Sequence, residues 1–191
     1  MSCDHSHPIA AGKSSFGLID PSRLFAALPL RSARQILDLA CGAGAYSLEL
    51  ARRLPASTIH AVDLWAEGLD SLRQAAATAD YPQIRPQLAD VGQRLPFADG
   101  SIDLCLAATV LHDLVITGDA DSAIAEIARL LPPRGYLAVI EFVREESSPG
   151  PPSTIRLAPA QLEALITPCG FRSQPPLPVG EHLYLMLFER C

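Results

Sequence analysis

The densest chemistry in the sequence is the run Asp38-Leu39-Ala40-Cys41-Gly42-Ala43-Gly44, which closes a short apolar stretch beginning at Ile36. Glycines at such a point let the backbone turn sharply and approach a ligand, and the helix that follows aims its unpaired amides at the same place. A second acid, Asp63, lies nineteen residues after Gly44, at the tip of the next apolar stretch. In sheets of alternating strands and helices, an acid there accepts hydrogen bonds from ribose hydroxyls. Asp90-Val91 follows a third, weaker apolar stretch. A dinucleotide fingerprint would need a third glycine at position 47, but Ser47 stands there, and Asp38 precedes the glycines where that fingerprint has no acid. A nicotinamide oxidoreductase is disfavoured on both counts.

Other residues invite a chemical reading with less support. His112, in Thr109-Val110-Leu111-His112-Asp113-Leu114, follows the fourth strand on the same side as the glycine loop. A histidine there either takes a proton from a nucleophile or packs at the rim of a binding site. Glu141, near the end of the fifth strand, is a further candidate. Lys13-Ser14-Ser15-Phe16 resembles a phosphate loop, but that pattern needs glycine at position 7, which is His7. Cys3, His5 and His7 have metal-ligand chemistry, although a mobile terminus is the simpler expectation. Cys41 and Cys105 read as small buried residues rather than nucleophiles.

Composition narrows the classes of function. The chain has 191 residues, with 15 Lys and Arg against 21 Asp and Glu, a net charge of −6. No basic cluster rises above that acidic background, so a nucleic-acid substrate is disfavoured and an anionic membrane offers no attraction. The start lacks the basic and apolar regions of a secretory leader, and the longest apolar runs, residues 104–111 and 183–188, are far too short to span a bilayer. Five cysteines without CxxC spacing predict reduced thiols, so a cytoplasmic protein is expected.

The elements that must position these residues are legible from periodicity. Residues 1–33 are mixed, with one helix signal: Asp20 as N-cap, Pro21 as the first helical residue, then Leu24, Phe25 and Leu28. From Arg34, strands alternate with helices. Strands are predicted at 36–40, 58–62, 84–88, 101–107, 136–142, 171–174 and 183–189. Helices carry Leu48 to Leu54, Leu69 to Ala76, residues 120–131, and Leu162 to Ile166. Such alternation calls for a mostly parallel sheet covered on both faces. The last two strands are joined by too few residues for a crossover helix, so they must pair antiparallel.

The glycine run resembles motif I of class I methyltransferases, and the likeness extends through nearly all of residues 34–189. It resembles the small enzymes of the ubiquinone/menaquinone-biosynthesis type (methyltransferase type 11/25 domain). Leu95-Pro96-Phe97 with Ser101-Ile102-Asp103 matches the family's stretch leading into strand four. Leu131-Pro132-Pro133-Arg134-Gly135 matches its Leu-Lys-Pro-Gly-Gly turn, with Pro132 for Lys and Arg134 for Gly as departures. The resemblance implies a Rossmann-like, doubly wound α/β fold: a seven-stranded, mostly parallel sheet with an antiparallel last strand. It implies a methyltransferase domain over 34–191, and a short N-terminal helical cap over 1–33 acting as a lid in which Lys13 or Phe16 touches cofactor or acceptor.

By the same resemblance, the cofactor is S-adenosyl-L-methionine. Ala40, Gly42 and Gly44 underlie its methionine half, and Asp38 organises that loop and the methionyl amine. Asp63 holds the ribose, Leu64 packs on the adenine, Asp90 and Val91 take the adenine amino group, and Ala107 touches the cofactor at the end of strand four. His112 is the candidate catalytic base for an unidentified, small-molecule methyl acceptor. A monomer or homodimer is expected, with neither nucleic acid nor membrane insertion. The competing reading is a catalytically silent protein that binds the cofactor as a partner or sensor.

Overall fold

The structure, a computed structural model, describes residues 10–146 and 149–191. Cys3, His5 and His7 lie outside the described residues. Five strands run parallel: β1 (Gln35–Leu39), β2 (Thr58–Asp63), β3 (Ile84–Leu88), β4 (Leu104–Ala108) and β5 (Tyr136–Phe142). They are followed by β6 (Phe171–Ser173), β7 (Leu177–Pro178) and β8 (Leu183–Arg190). The spatial order is β3-β2-β1-β4-β5-β8-β6, with β8 antiparallel to β5.

β7 was not expected from the sequence. It pairs with β8 on the same edge as β6, so the two form one interrupted edge strand. Ser173 faces Phe188 while Leu177 faces Leu185, a register that holds one extra residue on the β6–β7 side. Pro175-Pro176 falls in that interval, and proline, lacking an N–H, belongs at such an edge bulge. The sheet therefore has eight strands, seven of them on the continuous path.

Both faces of the sheet are buried. On one, Ile36, Ile59, Leu104, Leu106, Ala138 and Ile140 pack under α1 (Pro21–Ala27), α2 (Ala45–Arg53) and α3 (Ala66–Thr78). On the other, Leu37, Leu39, Val62, Cys105, Leu137 and Val139 pack under α4 (Leu111–Thr117), α5 (Ala120–Leu130) and α6 (Pro159–Ile166). The alternation of neighbours along each strand between the two cores is the period-2 signature of a sheet sandwiched by helices.

Local signals explain most boundaries. Asp20 caps α1 by accepting hydrogen bonds from the Ser22 and Arg23 amides at 2.9 and 3.2 Å, with Pro21 in the first turn. Leu24 and Phe25 of this helix enter the same core as the sheet, so residues 16–28 are packed on the domain. Strand four starts at Leu104 rather than 101, because Asp103 turns back: its carboxylate accepts the Arg34 and Gln35 amides at 2.7 and 2.9 Å. Helix α4 is also absent from the expectation. It is short and begins at Leu111 directly after β4, with no side-chain cap to announce it.

The chain winds in opposite directions from β1 and from β4, so the crevice between their C-terminal ends is the sheet's switch point. In open α/β sheets that crevice is where ligands bind.

Candidate active site

A cavity of about 560 Å³ opens at this switch point, in the range of small-molecule sites. Its walls come from the segments after β1, β2, β3 and β4, from α4, and from residues 10, 11 and 13–15 of the N-terminal segment.

The strand ends bring three carboxylates to one side. Asp38 is buried, and among the described residues its side-chain donor is Ser47, whose hydroxyl donates at 2.6 Å. Burial, aided by the charge of Asp63, pushes the Asp38 carboxyl up to about 7 against the opposing Ser47 hydrogen bond. Asp63, at the end of β2, accepts the Gly42 amide at 2.7 Å on one oxygen and the Trp65 amide at 2.7 Å on the other. One carboxylate thus ties the glycine loop to the start of α3. Asp90 accepts the Gly92 amide at 2.9 Å, a local turn that fixes the loop after β3.

Ala40, Gly42, Leu64 and Val91 line the cavity with these acids. Ala40 holds φ 55, a left-handed backbone uncommon outside glycine, and so does Thr109 across the cavity at φ 54. Such strained residues persist where surrounding contacts over-determine them, and they gather at functional sites.

Gly44, Ala107 and His112, singled out from the sequence, lie off the wall. Gly44 caps α2 at φ 76, and a Cβ there would sit 2.3 Å from the Leu72 side chain; its small size serves packing of α2 on α3. Ala107 faces the α4–α6 core, and Ala108, pointing the other way by strand alternation, lines the cavity in its place. His112 is buried in the first turn of α4, a layer behind the wall, while its neighbour Asp113 lines the cavity.

The surroundings of His112 are specific. Its Nδ1 lies 2.8 Å from Glu141 Oε2, and its backbone amide donates to Glu141 Oε1 at 3.2 Å. Glu141 is itself fully buried on β5. Burial works against the charged ring, yet the hydrogen bond and charge of Glu141, with the charge of Asp113, raise the His112 pKa above its ordinary value. Glu141 therefore serves His112 and does not reach the cavity.

The N-terminal segment crosses the opening. Lys13 lines it, with its carbonyl 4.0 Å from where a Cβ on Gly42 would stand. Ser15 is buried: its hydroxyl pairs with the Tyr46 hydroxyl at 2.9 Å and accepts from Thr109 at 3.2 Å. Phe16 packs edge-on to Tyr46 at 5.0 Å between ring centres, behind the wall. Trp65, Tyr46, Thr109 and Asp113 line the cavity without having been expected to do so. Trp65 had a local signal, since it directly follows Asp63-Leu64; the others depend on long-range packing. Burial pushes the Cys41 and Cys105 thiols up, so neither is a nucleophile near neutral pH.

Comparison with known proteins agrees with this geometry. The family described as "Methyltransferase domain" matches residues 37–139, more than half of the chain. The chain belongs to the class I S-adenosylmethionine-dependent methyltransferase family.

Among curated methyltransferases, the ubiquinone/menaquinone biosynthesis C-methyltransferase UbiE of Geotalea daltonii is 33% identical over 132 residues, covering 67% of this chain and 54% of that protein. Trans-aconitate 2-methyltransferase of Azoarcus sp. is 33% identical over 164 residues, covering 86% and 59% respectively. The chain therefore spans little more than half the length of these relatives. In fold, it is similar to a SAM-dependent methyltransferase from Aquifex aeolicus, with a TM-score of 0.83 at 21% identity, over 93% of each chain. The [4+2]-cyclase SpnF shares the fold at a TM-score of 0.72 and 20% identity, over 84% of this chain and 76% of that one. Fold alone does not choose the reaction, so the methyltransferase family rests on the sequence match.

Proposed function

We propose that the chain transfers a methyl group from S-adenosylmethionine to a small-molecule acceptor by in-line displacement. The observation that carries this reading is the convergence of Asp38, Asp63 and Asp90, from three separate segments, on one cavity beside Gly42. The cofactor supplies an activated methyl and its own leaving group, so the protein's task is alignment and exclusion of water.

In this reading Asp38 faces the methionyl amine, with Ala40 and Gly42 beneath the methionine half. Asp63 accepts the ribose hydroxyls on the lone pairs that the Gly42 and Trp65 amides leave free. Leu64 packs on the adenine, and Asp90 with Val91 meets its amino group. Gly44 and Ala107 act at one remove, by shaping the α2 turn and the end of β4. His112 acts from behind the wall. The relatives' names point to small acceptors, a quinone precursor in one and trans-aconitate in the other.

Titration calorimetry with S-adenosylhomocysteine tests this directly. Wild-type protein binds, and Asp63→Ala binds about 100-fold more weakly, since two charge-assisted hydrogen bonds are each worth about 1.5 kcal/mol. Unchanged affinity in Asp63→Ala overturns the ribose assignment, and no binding by the wild type overturns the whole reading.

A further inference from the structure

Asp113 stands apart from the carboxylates already given a role. It lines the cavity on α4, opposite the glycine loop, with a side chain only 16% exposed. No hydrogen bond is made to this carboxylate among the described residues. Its nearest cationic neighbour is His112 Nε2 at 3.6 Å, too long for a hydrogen bond, while Lys13 contributes a favourable charge from the N-terminal segment. A half-buried carboxylate left without a donor is an open hydrogen-bond acceptor aimed at whatever occupies the cavity.

Behind it lies the buried pair already described. Glu141 takes His112 Nδ1 and so leaves Nε2 on the Asp113 side. The groups facing His112 are thus Glu141 from β5, Asp113 from its own helix, and the Arg156 guanidinium from the segment before α6. The order from the core outward is Glu141, His112, Asp113, cavity.

The charge of the wall adds a second, independent constraint. Of the described charged lining residues not given to the cofactor above, Asp113 and Asp119 face one cation, the exposed Lys13. A polyanionic acceptor would meet two like charges against one exposed lysine, and like-charge contact is unfavourable.

We propose that Asp113 is the acceptor-contacting carboxylate of the site, with His112 and Glu141 as its positioning residues, and that the acceptor is an uncharged or cationic molecule bearing an O–H or N–H nucleophile. This rests on the methyltransferase reading above. As the acceptor oxygen or nitrogen bonds to the methyl carbon, the carbon–sulfur bond breaks with its electron pair on sulfur. The acceptor's proton passes to an Asp113 oxygen, which becomes a neutral carboxyl, while the adjacent His112 ring, held by Glu141, keeps that carboxyl in place. No oxidant or further reactant is needed. A tricarboxylate is excluded from this class, which separates this chain from any relative that methylates one.

Two probes that share a phenyl ring, one a neutral hydroxyl donor and the other an anion, decide it: phenol and benzoate, titrated into protein saturated with S-adenosylhomocysteine and followed by the Thr109 and Asp113 amide signals and the His112 ring signal in NMR. Phenol binds about tenfold or more tighter than benzoate, the order expected where a site is built for a hydroxyl donor. Asp113→Asn brings the two to near parity, Asp113→Lys reverses their order, and Asp121→Asn, an equal change of net charge on the exposed face of α5, leaves the preference intact. The His112 ring titrates at lower pH in Asp113→Asn than in wild type. Benzoate binding as well as phenol, silence from both probes, or a His112 titration indifferent to Asp113 overturns the proposal. Binding of S-adenosylhomocysteine, measured on the same samples, tells that outcome apart from failure of the cofactor site.

Discussion

On the glycine-loop side of the cavity, each carboxylate is anchored by a partner close to it in the fold's first half: Ser47 to Asp38, Gly42 and Trp65 to Asp63, Gly92 to Asp90. On the α4 side, the contacts join distant segments. His112 meets Glu141 across 29 residues, Ser15 meets Tyr46 across 31, and Thr109 reaches Ser15 across 94. The first half is a set of strand tips whose geometry follows from the sheet. The second is assembled from a short helix, a buried ion pair and a strap, and it exists only once the whole domain has folded. A shared cofactor with divergent acceptors calls for such a division: one half fixed by the sheet, the other free to be rebuilt.

The contrast is broken most severely at the buried pair. Glu141→Gln leaves one of the two His112 contacts unmet and is expected to destabilise the fold by about 3 kcal/mol in chemical denaturation, the lower end for breaking a buried pair. Because Glu141 raises the His112 pKa, the pair's contribution is complete below the unfolded value near 6.5 and is lost as pH rises through the higher folded value. The gap between wild type and Glu141→Gln should therefore be wider at about pH 5.5 than at about pH 9. A gap of the same size at both places the role of Glu141 in packing alone.

The two glycines of the loop provide the next test, within the half that looks uniform in sequence. Gly44→Ala puts a Cβ against the buried Leu72 side chain at φ 76, and should cost roughly 2 kcal/mol and lower Tm by about 6 °C. Gly42→Ala has open space, its nearest neighbour being the Lys13 carbonyl at 4.0 Å, so only the φ 56 strain of about 1 kcal/mol applies. Yet it lines the cavity, and it should weaken S-adenosylhomocysteine binding more than Gly44→Ala does. Equal losses of affinity in the two variants would show that both glycines serve the ligand alike.

This difference between neighbours marks how far the sequence could be read. Asp38, Gly42, Asp63 and Asp90 sit at strand tips, and strand tips follow from apolar periodicity, so their meeting at one crevice was legible before any coordinates. Gly44 is indistinguishable from Gly42 in the sequence, because what it touches, Leu72, comes from a helix with no local link to it. Helix α4 was missed for a related reason. Leu111-His112-Asp113-Leu114 follows β4 without a capping side chain, and its seven residues take their stability from Leu111 and Leu114 packing in the core rather than from propensity. Without the helix, His112 looked like a rim residue, and Asp113 did not stand out at all. β7 hid behind Pro175-Pro176, which signals a turn and here marks a bulge.

Asp38 allows a finer test of the cofactor half. With its carboxyl pushed up to about 7 by burial, the free protein carries it protonated below that pH. This acid favours the folded state at low pH, and that advantage declines as pH rises from the unfolded value of 3.8 toward 7. A cationic amine beside it favours the ionised form, so binding of S-adenosylhomocysteine should release a proton below pH 7 and tighten by up to about tenfold per pH unit until it levels off near neutrality. Calorimetry in buffers of different ionisation heat reads that proton. If affinity is flat across this range and no proton is released, the amine is bound elsewhere. Ser47→Ala, by removing a side-chain donor to Asp38, should move the levelling point to higher pH.

The smallest expected effect asks whether the strap opens separately from the domain beneath it. Ser15 is the only hydroxyl through which the N-terminal segment reaches both Tyr46 of α2 and Thr109 after β4, among the described residues. Ser15→Ala forfeits about 1 kcal/mol of hydrogen bonding. If residues 10–18 detach and unfold together, that loss appears as roughly fivefold faster hydrogen exchange at the Lys13 and Leu18 amides, whose bonds to Ala10 and Ser15 open with the strap, while exchange at the sheet amides is unchanged. If the strap is continuous with the core, through Leu24 and Phe25 packed under the sheet, the same loss spreads to the global unfolding energy and exchange at Lys13 and Leu18 changes no more than elsewhere. The first outcome makes the acceptor half an element that opens and closes over a fixed cofactor half; the second makes both halves one rigid body.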